Sequence, residues 1–168
     1  MTSKKKHEQL SHVDETGEAR MVDVGEKSTI KRVAVATAQV KMSKACAEEV
    51  AANNVTKGDV LGTAQLAGVM AAKRTAGLIP LCHPLALDHI DVKCRLEGQT
   101  VKISARVVAY VRTGVEMEAL TAASVAALTV FDMCKAIDPG MILGPIQVER
   151  KTKNGQVAFE RSNMDAPG

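Results

Sequence analysis

The chain has 168 residues, 46% of them hydrophobic, which is enough for one domain with its own core. A net charge of +3, with one Tyr, two Phe and no Trp, suits an anionic small ligand and argues against nucleic acid, which needs a stronger field or stacking rings. The charged first twelve residues lack the apolar stretch of a secretory leader, and no uninterrupted apolar run nears the ~18 residues of a membrane span.

Residues 1–28 are polar and rich in Lys, Glu and Gly, with one distinctive piece, Gly17-Glu18-Ala19-Arg20-Met21-Val22-Asp23-Val24. From 30 to 42, Val33, Val35 and Thr37 alternate with smaller residues, which predicts a strand with Lys31 and Arg32 at its start. A short helix over 43–53 ends at Asn53-Asn54, and Lys57-Gly58-Asp59 forms a turn. Asp59 then caps a helix rich in Gly and Ala that runs to Arg74, with Gly77 as its C-cap. Two prolines make Leu78-Ile79-Pro80-Leu81-Cys82-His83-Pro84 a fixed loop.

Strict alternation follows. Ile90, Val92, Cys94 and Leu96 face one way and Asp91, Lys93, Arg95 and Glu97 the other, then Gly98-Gln99 turns the chain into Val101, Ile103, Ala105 and Val107. That is a half-buried hairpin. Thr113-x-x-Glu116 has the form of a capping box, opening a helix that Asp138-Pro139-Gly140 stops. Its side chains are nearly all Ala, Ser, Thr, Val or Leu, so it is expected to be buried almost all round. A second hairpin turns at Asn154-Gly155. The order predicts an α+β fold with helices on one face of an antiparallel sheet, and its small-residue packing favours subunit association.

None of the phosphate-loop, dinucleotide, zincin or nucleophile-elbow motifs is present, so chemistry must come from dispersed residues. Adjacent Cys82 and His83 do not aim at one point, and no second cysteine stands at zinc spacing. His83 is better read as a proton carrier or hydrogen-bond donor on a rigid loop. Cys46, Cys82, Cys94 and Cys134 lack paired spacing and read as reduced cytoplasmic thiols. Lys57 either belongs to a plain turn or meets phosphate beside a helix N-terminus. Lys73 and Arg74 suit a solvated helix end as well as an anion. The capping box accounts for Glu116, dipole placement for Glu118, and an i,i+3 ion pair for Asp132 and Lys135, yet charges on so apolar a helix invite a catalytic reading.

Taken together, Met21-Val22-Asp23-Val24, Lys57-Gly58-Asp59-Val60, Ala71-Ala72-Lys73-Arg74-Thr75, Leu78 to Pro84 and Thr113 to Lys135 closely resemble the MoaC family, the cyclic pyranopterin monophosphate synthases of molybdenum cofactor biosynthesis. The resemblance spans about 17–161. It makes 17–161 the catalytic domain, while their polar composition makes 1–16 a mobile extension and 162–168 a disordered tail. It implies a ferredoxin-like subunit in a hexamer of three dimers, acting on 3′,8-cyclo-7,8-dihydroguanosine 5′-triphosphate in the cytoplasm. The product would be cyclic pyranopterin monophosphate, with release of pyrophosphate. Residue by residue, Leu81, Cys82, His83, Met117 and Glu118 would bind substrate, with Glu116, Arg32, Lys73 and Arg74 as weaker matches. Asp132 would be the active-site acid, with Lys57 and Lys135 as catalytic or phosphate-contacting bases. No protein metal site or cofactor is implied, although Mg²⁺ can accompany the triphosphate. The runner-up is a non-catalytic, oligomeric nucleotide-binding regulatory module.

Helix geometry adds a constraint. Glu118 and Asp132 are fourteen residues apart, about 21 Å along a helix axis at about 1.5 Å per residue. One compact centre cannot touch both on one copy of the helix. The site is therefore expected to be shared between subunits, or the two ends serve different parts of a long substrate.

Overall fold

The computed structural model describes residues 18–162. The expected extension (1–16) and all but the first residue of the expected tail (162–168) lie outside them. The alternating segments become β1 (Ile30–Lys41), β2 (His89–Glu97), β3 (Thr100–Val111), β5 (Gln147–Lys153) and β6 (Gln156–Glu160), with a two-residue β4 (Ile142–Leu143). Their order is β2-β3-β1-β5-β6, every pairing is antiparallel, and β4 pairs with β1. Without β4 and β6 this is the split β-α-β arrangement of ferredoxin-like folds. The second hairpin turns where expected, through Asn154 and Gly155, both at positive φ.

One face of the sheet carries Ala34, Ala36, Ala38 and Val40 from β1 and Val101, Ile103, Ala105 and Val107 from β3, all buried. Helices α1 (Lys44–Ala51), α2 (Val60–Ala72), the single turn α3 (Thr75–Leu78) and α4 (Glu116–Cys134) belong to the same chain. Packing of α2 and α4 on one another and on the strands closes the core over this face. The opposite face is polar and cross-linked: Thr37 donates to Glu149 at 2.7 Å and Lys102 to Gln39 at 2.8 Å.

Ser43 and Asp59 cap α1 and α2 by accepting from the backbone N–H of Cys46 and Gly62. The C-cap of α2 is Lys73, and Gly77 lies inside α3, so the expected glycine cap is not used. The capping box also fails. The N-cap of α4 is Val115, with no side-chain cap bond, so Glu116 is free for another partner.

Small residues set the distance between α2 and α4. A Cβ on Gly68 would stand 2.9 Å from the Ala122 carbonyl oxygen and 3.1 Å from a Val92 methyl. Gly68→Val is therefore expected to cost roughly 2–3 kcal/mol through overpacking, well beyond the few tenths that helix propensity returns. A urea midpoint equal to wild type would refute this close approach.

The expectation that α4 is buried all round needs correction. Met117, Leu128, Asp132 and Lys135 are exposed and Ser124 half-exposed, along one stripe at helical spacing. Because Ala, Ser and Thr occupy every face of this helix, composition hides which side is open. At 19 residues α4 is long and apolar enough to cross a bilayer by length and composition alone, although Glu116, Glu118 and Asp132 keep it from being an uninterrupted apolar run. Its apolar side is already buried against the sheet and α2.

Candidate active site

The two helices run antiparallel, which sorts the candidate residues into two groups. Lys57, just ahead of α2, reaches the end of α4, while the chain leaving α2 reaches its start.

At the end of α4, Asp132 holds two lysines. Lys57 Nζ lies 2.6 Å from Asp132 Oδ2 and donates to the Asp132 carbonyl at 3.0 Å, and Lys135 Nζ lies 2.7 Å from Oδ1. The i,i+3 pair was legible in the sequence; the second lysine, 75 residues away, was not. Hydrogen bonds from Lys135 and then Lys57 pull the Asp132 carboxyl down to about 2, so it is ionised throughout the neutral range. All three side chains are about half exposed, so this cluster holds charge ready for a ligand and adds little to stability. Next to it, Asp138 accepts from Ser43 N at 2.6 Å and Gly140 N at 3.0 Å, tying the exit of α4 to α1.

At the start of α4 lies a cavity of about 660 Å³, lined by Leu81, Cys82, His83, Glu116, Met117 and Glu118 among others. That volume suits a nucleotide-sized ligand. The loop 79–87 forms one wall and the segment 22–27 another, the two joined where His83 Nε2 donates to the Val22 carbonyl at 2.9 Å. Since a carbonyl only accepts, Nε2 carries the proton and Nδ1 is the ring nitrogen left for exchange.

Glu118 is 4% exposed. Burial raises its carboxyl above the ordinary 4.5, opposed by a hydrogen bond from its own backbone N–H and reinforced by the charge of Glu116. Burial, then the nearby Glu118, also raises the Cys82 thiol, which disfavours the thiolate a nucleophile needs. The sign for stability follows. Glu118 contributes fully below the ordinary carboxyl value, and that contribution is lost as pH rises through its raised folded value. Glu118→Gln, permanently neutral, should therefore melt no lower than wild type at pH 7 and show a flatter melting temperature between pH 4 and 7. A variant that melts lower at pH 7 but not at pH 4 would contradict this.

Sequence reasoning missed Lys27, which supplies a cation to the wall that only the Met21-Val22-Asp23-Val24 piece hinted at; Thr113 and Gly114, singled out in the sequence at the approach to α4, form part of the rim. Lys73 and Arg74 are exposed where α2 ends, outside the lining. Arg32 sits on the helix-covered face of β1, opposite Ala109 and Lys153, also outside the lining, and its Nε is buried without a hydrogen-bond partner. Among the described residues no three His, Cys, Asp or Glu side chains converge as a metal site. None of Lys57, Asp132 and Lys135 lines the cavity, so the candidate residues fall into two groups at opposite ends of one helix.

Known proteins carry the same pattern. Residues 21–154 match the model of the MoaC family. The chain is 54% identical over 155 residues to the cyclic pyranopterin monophosphate synthase of Roseiflexus castenholzii, covering 90% of this chain and 98% of that protein. It is 51% identical over 155 residues to the enzyme of that name from Brevibacillus brevis, covering 92% and 97%. With the Streptomyces griseus subsp. griseus enzyme it shares 48% over 158 residues, covering 94% and 89%. The match takes in both ends of α4, the loop 79–87 and the strands that carry them, and the chain belongs to the MoaC family.

Proposed function

We propose that this protein converts 3′,8-cyclo-7,8-dihydroguanosine 5′-triphosphate to cyclic pyranopterin monophosphate and pyrophosphate, a lyase step of molybdenum cofactor biosynthesis. Family membership carries the reaction. The observation that supports a catalytic reading over a binding one is the convergence of Lys57, Asp132 and Lys135. A regulatory nucleotide-binding module would use the lysines but has no need to pair both with one carboxylate.

In this reading a substrate hydroxyl attacks the α-phosphorus. A new O–P bond forms, the bond to the β-phosphate oxygen breaks, and pyrophosphate leaves with the electron pair. Asp132 and Lys135 handle protons while Lys57 neutralises the phosphate under attack. A carboxylate held near 2 is a weak base. Substrate phosphate that draws Lys57 away would remove one of the causes holding it there, so Asp132 becomes more basic when substrate arrives. Leu81, Cys82, His83, Met117 and Glu118 hold the ring system in the cavity. Glu116, Arg32, Lys73 and Arg74 belong to the same end of the subunit and serve the phosphates or the rim. The named acids, lysines and histidine supply the proton transfer and charge neutralisation, so the reading calls for no resident cofactor, and Mg²⁺ enters only as a companion of the triphosphate. Four unpaired cysteines favour the reducing cytoplasm.

The two half-sites call for a second copy, in keeping with a hexamer of three dimers. The open stripe of α4 joins Met117 to Asp132 and Lys135, and exposed Leu66, Met70, Leu78 and Leu128 lie on the same helical layer. A two-fold axis at the middle of α4 would cover this apolar surface and set the Lys57–Asp132–Lys135 cluster of one subunit against the cavity of the other. The reaction itself is tested by mixing purified protein with the cyclic triphosphate. Stoichiometric pyrophosphate and pterin are expected. Tight binding with no pyrophosphate would sink this reading and leave the regulatory module.

A further inference from the structure

Glu116 opens α4 but does not cap it. Its carboxylate instead folds back over Gly114, where any Cβ would collide with it. Lys151, 35 residues further along on β5, holds it there with Nζ 3.1 Å from Oε1. The pair is partly shielded, with side chains 38% and 28% exposed, so it is less screened than a surface pair. Lys151 pairs with Ala34, which places it on the buried face of the sheet, and Lys153 and Arg32 follow it towards the strand end on that face. Glu116, Gly114 and Glu118 all line the cavity, and Lys151 does not. Its influence therefore passes through Glu116.

We propose that Lys151 is a positioning residue: by fixing the Glu116 carboxylate over Gly114 it sets the shape of the cavity rim and the charge beside Glu118. This rests on the reading of the cavity as the substrate site. The titratable groups that share the cavity with Glu118 are Glu116 on its own helix, Cys82 and His83 from the loop 79–87 and Lys27 from the N-terminal segment, while Lys151 stands behind Glu116 on β5. Of these, Glu116 raises the Glu118 carboxyl. Lys151 keeps Glu116 from turning into the cavity and so holds that charge in a fixed place relative to Glu118. Without it the rim loses its fixed edge and the Glu116 charge is free to swing towards Glu118.

Lys151→Met should raise KM for the cyclic triphosphate about tenfold with kcat within about threefold, the pattern of lost binding geometry. In ligand-free protein labelled with ¹³C-carboxyl glutamate, the Glu118 titration midpoint should move up. Lys151→Arg, which keeps the charge and the reach, should restore both readouts. Glu116→Gln should remove most of the effect of Lys151→Met on the Glu118 midpoint, because the rim charge that Lys151 holds in place is gone. An unmoved midpoint in well-folded Lys151→Met, or Lys151→Arg behaving like Met, would overturn the proposal. Should the Met variant not fold, Lys151→Gln takes its place with the same readouts. The titration needs no turnover, so a wild-type protein inactive on the cyclic triphosphate would overturn the proposed function while the midpoint still decides the role of Lys151.

Discussion

Asp132→Asn should lower kcat by roughly 10²–10⁴-fold, the usual loss when a positioned acid–base group is removed, while its melting temperature stays close to wild type. The asymmetry follows from where the residue sits. Its side chain is 56% exposed, and both of its lysine partners are solvated, so their pairing does little for the fold. The amide keeps the shape but releases both lysines, removing the base and the organisation of the cations together. Lys135→Ala should show a loss of the same order, and Lys57→Ala should combine a lower kcat with a higher KM, as the proposed contact of Lys57 with phosphate requires. The pH dependence gives a separate check. Asp132 titrates at about 2 in the free protein, so an acid limb in kcat/KM between pH 4 and 6 belongs to another group and should persist in Asp132→Glu. Turnover within threefold of wild type in Asp132→Asn, on verified substrate, would remove this residue from the chemistry.

Local physics was legible in the sequence, and long-range pairing was not. The hairpin of β2 and β3 was readable because a two-residue alternation has one solution, and Asp59 was readable as a cap because its acceptor reaches only three residues ahead. Asp132 and Lys135 were readable for the same reason, one turn apart on a helix. Lys57 reached Asp132 only because α2 folds back antiparallel to α4, a tertiary fact no spacing encodes. The capping-box reading of Thr113 and Glu116 failed at the same boundary. A local pattern predicted a local bond, and a lysine on a strand formed after the helix took the carboxylate instead. The open stripe on α4 was hidden for a different reason. A helix built from Ala, Ser and Thr has little contrast between its faces, so only its packing shows which side lacks a partner.

A shared site makes a quantitative demand that a single-chain site cannot meet. Take two inactive variants, Glu118→Ala, which damages the cavity, and Asp132→Asn, which damages the cluster, and mix them in equal amounts under conditions of subunit exchange. If each active site takes its cavity from one copy and its cluster from another, it is intact when the cavity comes from the Asp132 variant and the cluster from the Glu118 variant. With random exchange that happens in about one quarter of sites, whatever closed symmetry the oligomer adopts. Recovery near that fraction is expected, rising as exchange proceeds and absent when the two variants are mixed after cross-linking. If one chain supplied both ends, every site would carry one lesion and recovery would be nil even after mass spectrometry had shown mixed oligomers. The geometry favours the first outcome. Glu118 and Asp132 are fixed on one continuous helix, and about 21 Å of backbone rise between them leaves no conformational freedom by which a single copy could bring its two ends to one compact reacting centre.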